Sequence, residues 1–285
     1  LEKGDVLGLI GPNGCGKTTS IMCMLSLLKY DSGTIEVFGK KDISNEYEIK
    51  KKIGIVPQEL AVFNNLTVKE NIDYFCGLYI SNKNERKRLV NEAIEFTGLQ
   101  SHEKMLEKKL SGGLKRRLNI ACGISHKPEL VILDEPTVAV DAQSRKFILD
   151  GIKNLAENGS SILYTTHYLD EAEYLCNKIS IMDNGKNILT GDMQTLINGV
   201  SVKEKITVVG FIKPEIISIL EKQDEVIDVE AKENQVTFNY SSDTGNIKKL
   251  IYLLDENNVV YEEIFSKKPK LEDIFLEMTG KELRE

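Results

Sequence analysis

The stretch that most constrains this chain is GPNGCGKTT, Gly11 to Thr19. A short apolar, β-prone run, VLGLI (Val6 to Ile10), precedes it, and SIMCMLSLL (Ser20 to Leu28) follows with helical length and apolar spacing. Gly11, Gly14 and Gly16 carry no Cβ, so the backbone between strand and helix can fold tightly and aim successive N–H groups inward. The positive end of the following helix adds to them, and such a cradle takes phosphate oxygens. Lys17 is placed to neutralise the β and γ phosphates of a nucleotide, and Thr18 to ligate Mg²⁺. Pro12, Asn13, Cys15 and Thr19 complete the nucleotide-contacting loop. Cys15 stands near Lys17 and a helix N-terminus, both of which favour thiolate, so it is expected to react with a maleimide and to be protected by nucleotide.

With 285 residues, 41% of them hydrophobic, the chain can fill more than one core, and one large plus one small domain is expected. No apolar run approaches the ~20 residues that cross a bilayer, and no signal-peptide pattern opens the sequence. A cytosolic chain is the expectation. Five cysteines, scattered and without a CxxC pair, argue against both a disulfide framework and a zinc site. The net charge of −7 is uneven: Leu1 to Val200 holds 25 basic and 26 acidic residues, Ser201 to Glu285 holds 12 and 18. An acidic tail disfavours nucleic acid or anionic lipid as its partner. Gly4 and Asp5 read as the turn entering VLGLI, so the chain is expected to begin in mid-sheet, with strands upstream of it missing.

Downstream, DSGTIEVFG (Asp31 to Gly39) reads as a turn and a strand, and KKIGIVPQE (Lys51 to Glu59) as a strand ending at Pro57 and Gln58. A helical insertion is expected over about 65–127. Thr67 and Glu70 open it in the Ser/Thr-x-x-Glu arrangement, and LSGG (Leu110 to Gly113) lies within it. Ser111 can cap the next helix while Gly112 and Gly113 expose its first N–H groups, a second anion-binding terminus. Lys115, Arg116 and Arg117 read as a basic helix face. ELVILDEPT (Glu129 to Thr137) is a buried parallel strand that delivers two carboxylates at its end. Alternation sends Asp134 and Glu135 to different sides, one toward Mg²⁺ and one toward an attacking water. SSILYTTH (Ser160 to His167) is a strand ending in a histidine, and Asn184 and Gly185 mark a hairpin turn. Past Lys205 the periods alternate as βαββαβ, a pattern of small ferredoxin-like domains.

Taken in order, Gly11 to Thr19, Gln58, LSGG, LDEP, Asp141 in VAVD and His167 resemble the Walker A, Q-loop, signature, Walker B, D-loop and H-loop of the ATP-binding cassette (ABC) ATPases. The resemblance covers Leu1 to about Asn198, and the tail Lys270 to Glu285 looks like the drug- and antibiotic-efflux branch related to daunorubicin exporters. It implies an α/β fold: a P-loop NTPase core with a parallel sheet, an antiparallel β subdomain and a helical subdomain. The domains would be 1–200 for the ATPase and 205–285 for the α+β accessory domain.

The resemblance further implies a head-to-tail dimer, homodimer or pseudo-dimer, with ATP between one subunit's Walker A and the other's LSGG. Glu135 would be the general base, Asp134, Thr18 and Gln58 the Mg²⁺ site, and His167 the γ-phosphate contact. Lys17 would serve catalysis as well as binding, and Asp141 would join Ser111, Gly112 and Gly113 around the nucleotide. The implied role is the ATPase subunit of a membrane exporter, peripheral on the cytoplasmic face through separate membrane-spanning subunits, with no nucleic-acid partner. The alternative is a soluble cassette ATPase acting on ribosomes or DNA. Leu114 departs from the pattern, standing where the signature most often has glutamine.

Overall fold

A computed structural model describes residues 1–280. Contacts divide the chain into one compact unit over Leu1–Ile188 and a second that begins at Leu189.

In the first unit the elements run β1 (Val6–Ile10), α1 (Lys17–Met24), α2 (Tyr47–Lys50), β2 (Ile53–Val56), α3 (Val68–Gly77), α4 (Lys83–Phe96) and α5 (Gly112–Ile124). They continue as β3 (Leu130–Asp134), α6 (Ala142–Glu157), β4 (Ser161–Thr166), α7 (Leu169–Leu175) and β5 (Lys178–Asp183), and β6 (Lys186–Gly191) carries the chain across the boundary at Leu189. The sheet order is β2-β3-β4-β1-β5-β6, and the first five strands pair in parallel. Period-two alternation sends the two faces of β3 into different cores. Val131 and Leu133 pack with Ile148 and Ile152 of α6, while Leu130 and Ile132 pack with Ile21 and Leu25 at α1. All five residues of β3 are therefore buried, as a strand covered on both faces requires.

Between β2 and β3 stands the helical insertion. Its entry is fixed by the Thr67–Glu70 capping box: the Glu70 N–H donates to Thr67 Oγ1 at 3.2 Å and the Thr67 N–H to Glu70 Oε2 at 2.8 Å. Val68, Ile72, Leu89, Ile94 and Leu118 give α3, α4 and α5 a core of their own. Asn184 and Gly185, both at positive φ, turn β5 into β6.

One expected strand is absent. Thr34–Phe38 is not a strand, and its pairing is a single bridge between Val37 and Lys40. A strand exists only through a neighbour, and no other described segment runs beside this one.

The second unit holds α8 (Met193–Asn198), β7 (Glu204–Val209), α9 (Pro214–Leu220), β8 (Val226–Lys232) and β9 (Gln235–Tyr240), then α10 (Asn246–Glu256), β10 (Glu263–Lys267) and α11 (Leu271–Thr279). Its sheet is antiparallel throughout, in the order β10-β7-β9-β8. Alternate residues Ile206, Val208, Val236 and Phe238 turn one face of it onto Leu250 and Leu254 of α10. Part of the efflux-branch tail, residues 281–285, lies outside the described residues. Among the described residues no helix is long and apolar enough to cross a membrane.

Candidate active site

Strand register gathers the site. Ile10 pairs with Thr166, Val56 with Leu133, and Asp134 with Thr165. The residues that follow, Gly11, Pro57, Glu135 and His167, therefore leave the sheet side by side at the carboxyl ends of parallel strands, where such sheets bind ligands.

The loop after β1 is sterically determined. A Cβ on Gly11 would lie 2.3 Å from the Met182 carbonyl oxygen, so no larger residue fits. Gly16 caps α1 at φ 107° without any side-chain hydrogen bond to the first turn. The amides of Lys17, Thr18 and Thr19 consequently lack intrahelical acceptors, which is the requirement for an anion site. Asn13, Gly14, Thr18 and Thr19 are exposed, Pro12 half-buried. Lys17 is 5% exposed. Its ammonium donates to the carbonyls of Gly11 at 2.8 Å and Pro12 at 3.2 Å, and stands 3.5 Å from Glu135 Oε1.

Cys15 corrects an expectation. Its side chain is only 3% exposed and turns inward against Gly11, because a turn from the Cys15 N–H to the Pro12 carbonyl folds it under the loop. The thiol is therefore shielded from a maleimide.

Two adjacent carboxylates have separate surroundings. Asp134 accepts from Thr18 Oγ1 at 2.8 Å and from Thr165 Oγ1 at 2.5 Å. Glu135 takes φ 46°, a left-handed conformation that strains a non-glycine residue by roughly 1–3 kcal/mol. Its N–H donates to Thr165 Oγ1 at 3.0 Å, and its carboxylate turns to another set of groups. Besides Lys17, the exposed Gln58 donates from Nε2 to Glu135 Oε2 at 3.2 Å, and His167 Nδ1 lies 3.3 Å from the same oxygen without hydrogen-bond geometry. The His167 ring packs against Tyr168 with centroids 4.2 Å apart.

The donor chemistry suits Mg²⁺. No group of three or more His, Cys, Asp or Glu among the described residues could cage a metal. Thr18 and Asp134 offer two hard oxygens, and Mg²⁺ takes one or two protein ligands with phosphate and water completing its shell.

The profile of the family described as ABC transporter matches residues 1–138. The linearmycin resistance ATP-binding protein LnrL of Bacillus subtilis is 38% identical over all of this chain and 93% of that protein. This chain belongs to the ABC transporter family. The Nod factor export ATP-binding protein I of Sinorhizobium fredii is 30% identical over all of the chain and 81% of its own length. Among solved structures, cbiO1 from Clostridium perfringens, part of the ABC transporter complex cbiONQ, superposes with a TM-score of 0.62 at 27% identity, over 70% of this chain and 84% of that one. As an ABC ATPase the chain binds ATP with Mg²⁺ and hydrolyses it.

Two expected elements of this ABC ATPase stand apart from the Lys17–Glu135 cluster. Ser111 caps α5 by accepting from the Leu114 N–H at 3.4 Å, and Asp141 caps α6 by accepting from the Ser144 N–H at 2.9 Å. These two caps adjoin each other, since a Cβ on Gly113 would come within 2.5 Å of Ser144 Oγ and 3.1 Å of Asp141 Oδ2. Among the described residues neither Ser111, Gly112, Gly113 nor Asp141 shares a hydrogen bond or ion pair with Lys17 or Glu135. Leu114, in place of the usual glutamine, packs half-buried on the helical core.

Arg116 is not part of a solvated basic face. It is 7% exposed, and its guanidinium donates to the carbonyls of Gln58 at 2.7 Å and Pro57 at 3.3 Å; burial pushes its pKa down from the ordinary value. Asn119 donates to the Pro57 carbonyl at 3.2 Å and accepts from the Ala61 N–H at 3.1 Å. Together they fix the backbone carrying Gln58. A sequence signal existed: Arg116 sits three residues after Gly113 and four before Ile120, on the inward stripe of α5.

Proposed function

We infer that this chain is the ATP-hydrolysing subunit of an exporter and works as a dimer through separate membrane-spanning subunits. The observation that supports this most is the placing of Glu135, buried at 6% exposure within 3.5 Å of both Lys17 and His167 and beside an Asp134 bound to Thr18. Glu135 orients and deprotonates the attacking water. Lys17 and the free amides of the loop hold the transferred phosphoryl group, and His167 contacts the γ-phosphate from the far side. Thr18, Asp134 and Gln58 would hold Mg²⁺, which would neutralise charge on the phosphate oxygens. Catalysis of this kind is mostly positioning and electrostatics. Ser111, Gly112, Gly113 and Asp141 of a second copy close the nucleotide from the other side.

Exposed apolar side chains in the segments that follow Gln58 support the membrane partner. Leu60, Phe63, Tyr74 and Leu78 are each more than 40% exposed, and Phe63, Tyr74 and Phe75 meet with ring centroids within 5.9 Å, Phe63 stacked on Phe75 and Tyr74 edge-on to both. Exposed aromatic clusters of this kind mark protein interfaces. Docking there would hold the chain on the cytoplasmic face of the membrane and couple Gln58 to the transporter. The second unit we read as a ferredoxin-like accessory domain, 205–285 beside an ATPase domain 1–200. Its βαββαβ order and antiparallel β10-β7-β9-β8 sheet support that reading. A drug- or antibiotic-like cargo rests on the relatives named for linearmycin resistance and Nod factor export.

The test is affinity purification of the tagged chain from detergent-extracted membranes, with mass spectrometry of its companions. A membrane-spanning chain that raises ATP hydrolysis on reconstitution is expected. Ribosomal proteins or nucleic acid in its place would overturn the exporter reading.

A further inference from the structure

One buried carboxylate has no task in the site described above. Glu171, on α7, is 1% exposed, yet a single one of its oxygens, Oε2, accepts from three hydroxyls: Tyr164 at 2.7 Å, Thr137 at 2.9 Å and Thr166 at 3.0 Å. The other oxygen has no hydrogen-bond partner and faces Arg145 Nε at 3.5 Å, an atom that is itself without one. A core carboxylate surrounded by converging donors is a network whose loss is felt well beyond its own volume.

The donors come from telling places. Thr137 lies two residues after Glu135. Thr166 immediately precedes His167, and its oxygen also accepts from the Tyr168 N–H at 2.9 Å, so the histidine is tethered on both sides. Arg145, in the first turn of α6, lies over the Tyr168 ring at 4.5 Å, and its N–H donates to the carbonyl of Asp141 at 2.8 Å. One side chain thus joins the strand end that presents Glu135, the turn that presents His167 and the helix start at Asp141. Tyr164 stays protonated and so can donate to the carboxylate, because burial and the neighbouring carboxylate hold its pKa well above the ordinary value.

We propose that Glu171 is a positioning residue for hydrolysis, setting His167 against Glu135 and linking both to the helix start at Asp141. The proposal rests on the roles given above to Glu135 and His167. Glu171→Gln keeps the shape but leaves a weaker acceptor for the hydroxyls or points amide hydrogens at Arg145, so the links loosen while the core stays filled.

Single-turnover rates, steady-state kcat and KM, and calorimetric ATP affinity would be measured on the full chain for Glu171→Gln, His167→Ala and the double variant. Glu171→Gln is expected to lower kcat about tenfold with KM and ATP affinity within about twofold of the parent, a loss specific to the transition state. Acting through His167, the same substitution should lower the His167→Ala rate less than about twofold further. An unchanged kcat in Glu171→Gln, or an equal fold-loss in both backgrounds, would overturn the proposal. A normal rate in His167→Ala would instead overturn the site reading and the proposal with it. If Glu171→Gln does not fold by circular dichroism, Thr166→Val removes only the hydroxyl between carboxylate and histidine turn. It should show the same fall in kcat, and a parental kcat there would also overturn the proposal.

Discussion

Two helices in the first unit have glycine at or just after their caps, and both have the sequence of an anion site, yet they are finished differently. α1 starts at Gly16 with no side-chain cap and with Lys17, Asp134 and Glu135 gathered around its first turn. α5 starts at Ser111 with its own hydroxyl on the Leu114 N–H, and Gly113 is wedged against Ser144 and Asp141. Exposed Ser111 and Gly112 meet no cation or carboxylate of the hydrolytic cluster. One terminus is therefore a chemical half-site complete within the chain; the other supplies hydrogen-bond donors alone. An ATP held between a first terminus and the second terminus of another copy, as proposed above, would account for the difference.

The largest effect should come from breaking the first terminus. Lys17→Met removes the buried cation, and ATP affinity is expected to fall roughly thirtyfold or more, about 2 kcal/mol, by calorimetry. An intact affinity would show that the loop amides suffice. Gly113→Ala breaks the second terminus by forcing a methyl to within 2.5 Å of Ser144 Oγ. Here kcat should fall about tenfold while the ATP affinity of the single chain is kept, the signature of a group used only in the transition state. Equal losses in both quantities would erase the contrast between the termini.

A smaller effect is expected where α5 grips the Gln58 backbone. Arg116→Met leaves the Pro57 and Gln58 carbonyls without that donor, and urea unfolding should show a loss of about 1–3 kcal/mol. The smallest concerns the caps themselves. The Ser144 amide holds the Asp141 carboxyl below its ordinary value of 3.8, so its stabilisation is present above that pH and is lost as pH falls through the lowered folded value. The melting temperatures of parent and Asp141→Asn should differ at pH 7 and converge in acid. Ser111→Ala, which removes a neutral cap, should show a difference without that convergence; matching pH profiles would contradict this assignment.

Features set by local chemistry were legible in the sequence. The glycine loop, the Thr67–Glu70 box and the Asn184–Gly185 turn each depend on a few adjacent residues. The gathering of Gln58, Asp134, Glu135 and His167 could be expected because each stands at or just past the end of a parallel strand. What failed depends on partners distant in sequence. Thr34–Phe38 has strand composition but, among the described residues, no neighbouring strand to pair with. Cys15 is the exception, a local miss: a turn to Pro12, three residues before it, decides which way its thiol faces. Arg116 read as a surface charge because its run with Lys115 and Arg117 outweighs its place on the inward stripe of α5, and Glu171 drew no reading because the hydroxyls around it belong to other elements. Buried charge is invisible to composition and becomes legible only through helix stripes or the finished packing.

Most directly at stake is the claim that Glu135 is the base of a site completed by a second copy. Glu135→Gln keeps the shape of the side chain and removes its basicity, so rates should fall by roughly 10²–10⁴-fold with ATP still bound. The decisive measurement is light scattering on this variant, with hydrolysis followed in the same ATP and Mg²⁺ solution. The account predicts the mass of two chains with ATP retained and almost no phosphate released. A single-chain mass at saturating ATP, or hydrolysis at the parental rate, would contradict it.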